Sequence, residues 1–230
     1  MKIIHELSSY TTNKIAAGEV ITEPLHVVKE LLENSVDAGA TEVDIQIKDN
    51  GLKSISVADN GHGIYLDDAK ALFLRHATSK LKDDSDLYSI STMGFRGEAL
   101  ASIAAISKVD VSSRQSSEMQ GFSMTQYGSK LLQLKSINRQ VGTTVEVTDL
   151  FYNTPVRERF LKEQHRLRQH IADFLENFAF SHPFIKARAS LDDKVVLRTL
   201  GDGRLDHLIY EISGEAILKK LIPFDFSIQD

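Results

Sequence analysis

The stretch from Pro24 to Gly39, Pro-Leu-His-Val-Val-Lys-Glu-Leu-Leu-Glu-Asn-Ser-Val-Asp-Ala-Gly, constrains the fold more than any other part of the chain. It opens on a proline, whose fixed φ suits the first turn of a helix, and closes on a glycine, which tolerates the left-handed turn that stops one. The spacing predicts a helix with two faces. Leu25, Val28, Leu32 and Val36 recur at helical intervals and would lie against a sheet, while Glu30, Asn34 and Asp37 share another side. A carboxylate and an amide one turn apart can act on a single bound group: Glu30 can take a proton from water, and the Asn34 carbonyl can ligate a hard cation. A merely solvated polar face has the same spacing, so the helix alone leaves both readings open.

With 230 residues the chain can bury one large core, or one core and the start of a second unit. A net charge of -5 excludes a uniformly basic nucleic-acid binder, so any contact with nucleic acid is local. Cysteine is absent, which removes disulfides, thiol nucleophiles and thiolate metal sites, and the eight histidines show no paired ligand spacing. No apolar run approaches membrane-spanning length. The opening Met-Lys-Ile-Ile-His-Glu lacks the apolar core of a secretion signal, and the expectation is a protein inside the cell with no membrane partner.

Along the chain, Asn13 to Glu19 reads as a short helix ending near Gly18. Val43, Ile45 and Ile47 alternate with Asp44 and Gln46 as a half-buried strand, and Ile55 and Val57 begin a second after the Asn50-Gly51 turn signal, predicting a hairpin. That strand breaks at Asp59-Asn60-Gly61-His62-Gly63, where glycines let backbone come close to a ligand and Asp59 is a fixed acceptor; an Asp-rich turn is the alternative. Leu66 to Arg75 reads as helical. The polar segment from Leu81 to Met93 closes on Gly94-Phe95-Arg96-Gly97-Glu98-Ala99-Leu100, the pattern of a mobile lid that ends at a phosphate-binding turn, or of a plain surface loop.

A helix from Glu98 to Ile106 precedes strands at Val109–Ser112, Phe122–Tyr127, Leu131–Ile137 and Gly142–Val147. Phe160 to Phe180 is expected to be one long helix. Arg157, Arg159, Lys162, Arg166 and Arg168 gather near its start, either as a solvated face balanced by Glu158 and Glu163 or as a local DNA-binding stripe. Strands follow near Ile185–Ser190 and Val195–Thr199, and Gly201-Asp202-Gly203 marks a break. Phe224, Phe226 and Ile228 alternate as a strand that either caps the existing sheet or opens a further domain, the second being the expectation. The expected division is a first domain over 1–200, with 201–230 as a junction opening a second domain that lies beyond this chain.

Four pieces stand in one order: Glu30 with Asn34, Asp59 to Gly63, Gly94 to Leu100, and Gly142-Thr143-Thr144. Together they resemble the GHKL ATPases, the superfamily of the gyrase B subunit, the heat-shock chaperone ATPase, sensor histidine kinases and MutL. The finer resemblance is to the MutL family of DNA mismatch repair proteins. It is carried by Asn13 to Glu19, Asp37-Ala38-Gly39-Ala40-Thr41, Thr78-Ser79-Lys80, Gly94 to Ser102 and Leu150-Phe151-Tyr152-Asn153-Thr154-Pro155-Val156-Arg157, and runs from about Asn13 to Leu161.

The resemblance implies an α/β sandwich of the GHKL (Bergerat) type, a mixed and mainly antiparallel sheet with helices on one face and ATP held between the helices and a lid. It implies that Glu30 is the general base for water attacking the γ-phosphate and that Asn34 ligates Mg²⁺. Asp59 would accept a hydrogen bond from the adenine amino group, and Thr143 would support that contact. Gly63 would let backbone approach the nucleotide. Gly94, Phe95, Arg96, Gly97, Glu98, Ala99 and Leu100 would wrap the phosphates, with Lys80 a lid charge nearby.

The expected function is slow, Mg-dependent ATP hydrolysis that orders the lid and drives homo- or heterodimerisation on DNA. Its partners would be weakly and non-specifically bound DNA and other mismatch repair proteins, in the cytoplasm or nucleoid of a bacterium or the nucleus of a eukaryote. The alternative is a nucleotide-binding module that does not turn over as this isolated chain, because the family continues into a second domain that contributes a lysine to the γ-phosphate.

Overall fold

The computed structural model describes residues 8–74, 77, 98–128 and 130–222. The expected lid, with Lys80, Gly94, Phe95, Arg96 and Gly97, and the expected strand at Phe224–Ile228 lie outside the described residues.

Two helices lead, α1 (Ser9–Val20) and α2 (Pro24–Asp37). The hairpin β1 (Glu42–Lys48) and β2 (Ser54–Asp59) follows, turned by left-handed Asp49, Asn50 and Gly51. Of the helix expected at Leu66–Arg75, the described part, 66–74, holds a 3-10 turn at Ala69–Phe73. Then come α3 (Ala99–Ala105), β3 (Lys108–Arg114), β4 (Gly121–Tyr127), β5 (Lys130–Ile137) and β6 (Gly142–Thr148).

The long helix expected from Phe160 to Phe180 is two helices, α4 (Pro155–Lys162) and α5 (Leu167–Ser181). Leu161 and Leu167 are both buried, yet their spacing puts them on different faces of a continuous helix, so the chain turns between them to bury both. After β7 (Lys186–Leu191) and β8 (Lys194–Arg198), joined by left-handed Asp192 and Asp193, come α6 (Leu205–Ser213) and α7 (Glu215–Leu218). The Gly-Asp-Gly break gives no sign of these last two helices. α6 packs on α5 and β8, with Leu208 in the core.

Among the described residues eight strands form one sheet in the order β5-β4-β3-β6-β2-β1-β7-β8, with every pair antiparallel except β1–β7. Its register lays core residues in rows across the strands. Ile47, Ile55, Val147 and Val109 form one, and Ile45, Val57, Val145, Val111 and Met124 the next. All are buried on the helix side, while Asp44, Gln46, Glu146 and Asp110 alternate with them on the other. The hydrophobic pattern therefore fixes the register, since a one-residue slip would bring every carboxylate inward.

The anchor helix α2 buries more than the expected stripe. Val27, Val28, Leu31, Leu32 and Ser35 are fully buried, with Leu25 and Val36 half-buried beside them, because the helix is held between β2 and α5. Pro24 takes the first turn, and Gly39, at φ 69°, receives the chain as it leaves, its N–H on the Val36 carbonyl at 2.9 Å.

Candidate nucleotide site

A third row crosses the sheet beyond the two apolar ones, and it turns polar. Val43 stands opposite Asp59, Asp59 opposite Thr143, and Thr143 opposite Ser113. Three polar residues from β2, β6 and β3 thus continue the core face, with Ser35 of α2 set against the first of them.

Asp59 is the centre of this group. Its Oδ1 accepts the backbone N–H groups of Gly61 at 2.9 Å and Thr143 at 3.3 Å, and its Oδ2 accepts the Ser35 hydroxyl at 3.1 Å. Burial pushes the Asp59 carboxyl above its ordinary value; these hydrogen bonds and the Arg139 charge oppose the shift without cancelling it. Thr143, 7 % exposed, shares a 2.9 Å hydrogen bond with the Ser113 hydroxyl, which also donates to the Gly142 carbonyl and accepts the Ile64 N–H. Fixed on two strands and one helix, the acceptor cannot turn away from whatever lies before it.

Sequence reasoning names Asp59 and Thr143 but not Ser35 or Ser113, which are 2 % and 0 % exposed. The signal is there: each serine occupies a position whose periodicity calls for an apolar side chain, Ser35 one turn after Leu31 and Ser113 two residues after Val111.

The glycines of the loop serve packing. A Cβ on Gly61 would meet Ala38 Cβ at 2.7 Å, and the His62 N–H reaches the Ala38 carbonyl at 2.9 Å, so the loop lies on the C-terminal end of α2. Asn60 ties the same loop to the start of β1 through the N–H groups of Thr41 and Glu42. Gly63, at φ 75°, has no room for a Cβ because the Arg114 carbonyl occupies that space, and Gly142, at φ 118°, is closed in the same way by the Asp59 carbonyl. The close approach at Gly63 is thus between two stretches of this chain's own backbone.

Glu30 and Asn34 are half-buried on α2, the latter immediately before the serine that holds Asp59. Among the described residues no group of three or more histidine or acidic side chains could enclose a metal. A single amide oxygen at Asn34 suits a hard cation whose other ligands are phosphate oxygens and water, the usual Mg²⁺ arrangement. Glu98, Ala99 and Leu100 lie at the start of α3, all three half-buried.

The five basic residues differ in burial and pairing. Arg157 is part-buried, its Nη1 donating to the carbonyls of Gly18 at 2.9 Å and Ile21 at 3.4 Å. Lys162 pairs with Glu158 at 2.6 Å, and Arg168 with Asp192 at 2.5 Å. Arg159 and Arg166 are exposed, the first on α4 and the second in the turn before α5.

An open mixed sheet with a buried acceptor at the end of its polar row, next to a helix bearing a carboxylate and an amide, defines a class. The family model for histidine kinase-, DNA gyrase B- and HSP90-like ATPases matches residues 22–148, and the chain belongs to that family. Its more specific likeness is to MutL. The DNA mismatch repair protein MutL of Exiguobacterium sibiricum is 45% identical over 219 residues, 95% of this chain and 36% of that protein, and MutL of Listeria monocytogenes is 44% identical over 96% of the chain and 37% of its own length. The chain thus spans little more than a third of the curated relatives it matches. Among solved structures, the Aquifex aeolicus MutL ATPase domain complexed with ADP has a TM-score of 0.68 at 30% identity, covering 84% of this chain and 70% of that one. The N-terminal domain of a DNA repair protein has a TM-score of 0.74 at 31% identity, covering 88% and 60%.

Proposed function

We propose that the chain binds Mg²⁺–ATP at the Asp59 end of its sheet and hydrolyses it, as the ATPase region of a mismatch repair protein of the MutL kind. The observation that carries this reading is the fixed carboxylate of Asp59, with both oxygens oriented by Ser35, Gly61 and Thr143. Such an acceptor suits the exocyclic amine of adenine. Guanine presents a carbonyl there, and two acceptors face to face would both go unpaired, which favours ATP over GTP. Thr143 supports the base contact, and Gly63 and Gly142 hold the junction that shapes it.

On α2, Asn34 would hold Mg²⁺, which when bound neutralises charge on the phosphates. Glu30 takes the proton of the attacking water. Glu98, Ala99 and Leu100, at the start of α3, would meet the phosphates, and the family resemblance assigns the same role to Gly94, Phe95, Arg96, Gly97 and Lys80. The ADP complex of the Aquifex aeolicus MutL ATPase domain supports nucleotide binding here.

The wider reading follows the family resemblance: ATP-dependent dimerisation, weak binding to DNA, and other mismatch repair proteins as partners inside the cell. No helix among the described residues is long and apolar enough to cross a membrane. The division at residue 200 rests on the Gly-Asp-Gly break, with α6 docked back on the first unit across it.

A calorimetric titration with ATP and with GTP, both with Mg²⁺, tests the reading. ATP should bind one to one and GTP much more weakly; no heat with ATP overturns it. Phosphate release from the same sample separates hydrolysis from binding without turnover.

A further inference from the structure

Ser113 closes the polar row on β3, 0 % exposed, and every hydrogen-bonding position of its hydroxyl is taken. A serine hydroxyl has one proton to give and two lone pairs to offer. Ser113 Oγ accepts the Ile64 N–H at 2.9 Å, and it lies 3.1 Å from the Gly142 carbonyl and 2.9 Å from Thr143 Oγ1. A carbonyl oxygen can only accept, so the Ser113 proton goes to Gly142. The bond to Thr143 then runs the other way: the Thr143 hydroxyl donates, and the second lone pair of Ser113 receives it. All three hydrogen bonds are made together in this arrangement and in no other.

Thr143 Oγ1, its proton turned inward, keeps only lone pairs for whatever lies before it. Asp59 is filled in a similar way. Its Oδ1 holds the N–H groups of Gly61 and Thr143, and its Oδ2 holds the Ser35 hydroxyl. The Ser35 proton is also within reach of the Leu31 carbonyl at 3.1 Å, so Oδ2 keeps at least one lone pair open. Asp59 and Thr143 stand directly opposite each other on β2 and β6, a pairing that sets side chains about 5 Å apart at Cβ. The row therefore offers two acceptors side by side.

We infer that Ser113 is a positioning residue that sets base specificity: by fixing the direction of the Thr143 hydroxyl, it makes the site read both hydrogens of a primary amine. One hydrogen goes to Asp59 Oδ2 and the other to Thr143 Oγ1. Adenine carries such an amine. Hypoxanthine carries a carbonyl oxygen at the same ring position, which would meet two acceptors at once. Without the serine, Thr143 is free to turn its proton toward the base and give that carbonyl a donor. This role rests on the nucleotide reading above, and Ser113 performs it through Thr143.

Calorimetric titration of wild type, Ser113→Ala, Thr143→Val and the double variant with ATP and with inosine triphosphate, each with Mg²⁺, tests the role. The readout is the ratio of the two association constants, because a general loosening of the pocket weakens both nucleotides alike and leaves the ratio unmoved. In Ser113→Ala the preference for ATP should fall about three- to tenfold, the span of one hydrogen bond. Thr143→Val deletes the hydroxyl and keeps the shape; it should weaken ATP by a similar factor and leave inosine triphosphate no weaker. With the hydroxyl gone the serine has nothing to direct, so adding Ser113→Ala to Thr143→Val should not change the ratio further. A Ser113→Ala ratio equal to that of wild type makes the serine a brace alone and overturns the inference. A Thr143→Val variant that loses both triphosphates equally overturns it too, and that arm decides the matter if Ser113→Ala does not fold. Wild type that binds neither triphosphate overturns the nucleotide reading itself.

Discussion

The Asp59 row and the contacts of Arg157 are both polar clusters inside one domain, yet they are held by different means. At Asp59, sheet register does the holding: partners one strand apart supply the contacts, and Ser113 and Thr143 are placed by the same alternation that places Val111 and Val145. At Arg157, one long side chain spans helices that are distant in sequence and ends on carbonyl oxygens. The first arrangement is rigid and suits recognition of a base. The second rests on a few side-chain contacts that hold α1 against the segment around Asn153 and Arg157.

The sharpest separation of binding from turnover is expected at Glu30, which belongs to neither cluster. Glu30→Ala should keep ATP affinity while phosphate release falls by about two to four orders of magnitude. Release at the wild-type rate would remove Glu30 from the mechanism. Next in size is Gly63→Ala. A Cβ there collides with the Arg114 carbonyl at a left-handed φ, so a loss of about 2–4 kcal/mol of unfolding free energy in urea is expected, and ATP binding should go with it. A stable Gly63→Ala variant that has lost only ATP binding would mean the glycine faces the ligand.

Asp59→Asn should weaken ATP by about 1–3 kcal/mol, because an amide can turn a donor toward the adenine amine. Its stability should move the other way. Burial raises the folded-state carboxyl above 3.8, so the folded protein holds that proton at pH values where the unfolded chain has lost it. The contribution to stability is greatest below 3.8, is lost as pH rises toward the raised value, and stays lost above it. Asparagine removes that loss, and thermal melting at neutral pH should show a variant no less stable than wild type. A variant that melts well below wild type at neutral pH would mean that the hydrogen bonds to the carboxylate outweigh its burial. The smallest effect belongs to the basic residues. Arg159→Glu with Arg166→Glu should weaken low-salt DNA binding alike on all sequences, the salt slope dropping by about 0.9 for each phosphate that is no longer neutralised; binding that ignores both changes would leave these residues as a solvated surface.

The two regions are also unequally legible in the sequence. β1, β2, β3 and β6 announce themselves by alternation, and the Asp59 loop by its glycines. The serines that complete the cluster escape notice because a small polar residue at a core position looks like a lapse in the pattern until its acceptor is known. Arg157 reads as part of a basic surface because charge counts see neighbours in sequence, whereas its acceptors lie 139 and 136 residues away. The break between α4 and α5 has neither proline nor glycine to mark it. The cost of leaving Leu161 or Leu167 in water sets that turn, and this cost belongs to the folded core.

The parallel pairing of β1 with β7 bears on how the domain comes into being. β1 lies against β7, with Glu42 beside Lys186, and everything from the first hairpin to the end of α5 is strung between them. That closure spans a long loop and is entropically dear, so it belongs late in folding. Until the ribosome has released the chain through Leu191, β1 is a bare sheet edge able to pair with a stranger. A recombinant piece cut at residue 148, where the family match ends, would keep that edge for good and leave α2 without α5 at its back. It should be recovered from cells as aggregate, while a piece carried through α6 should be recovered folded.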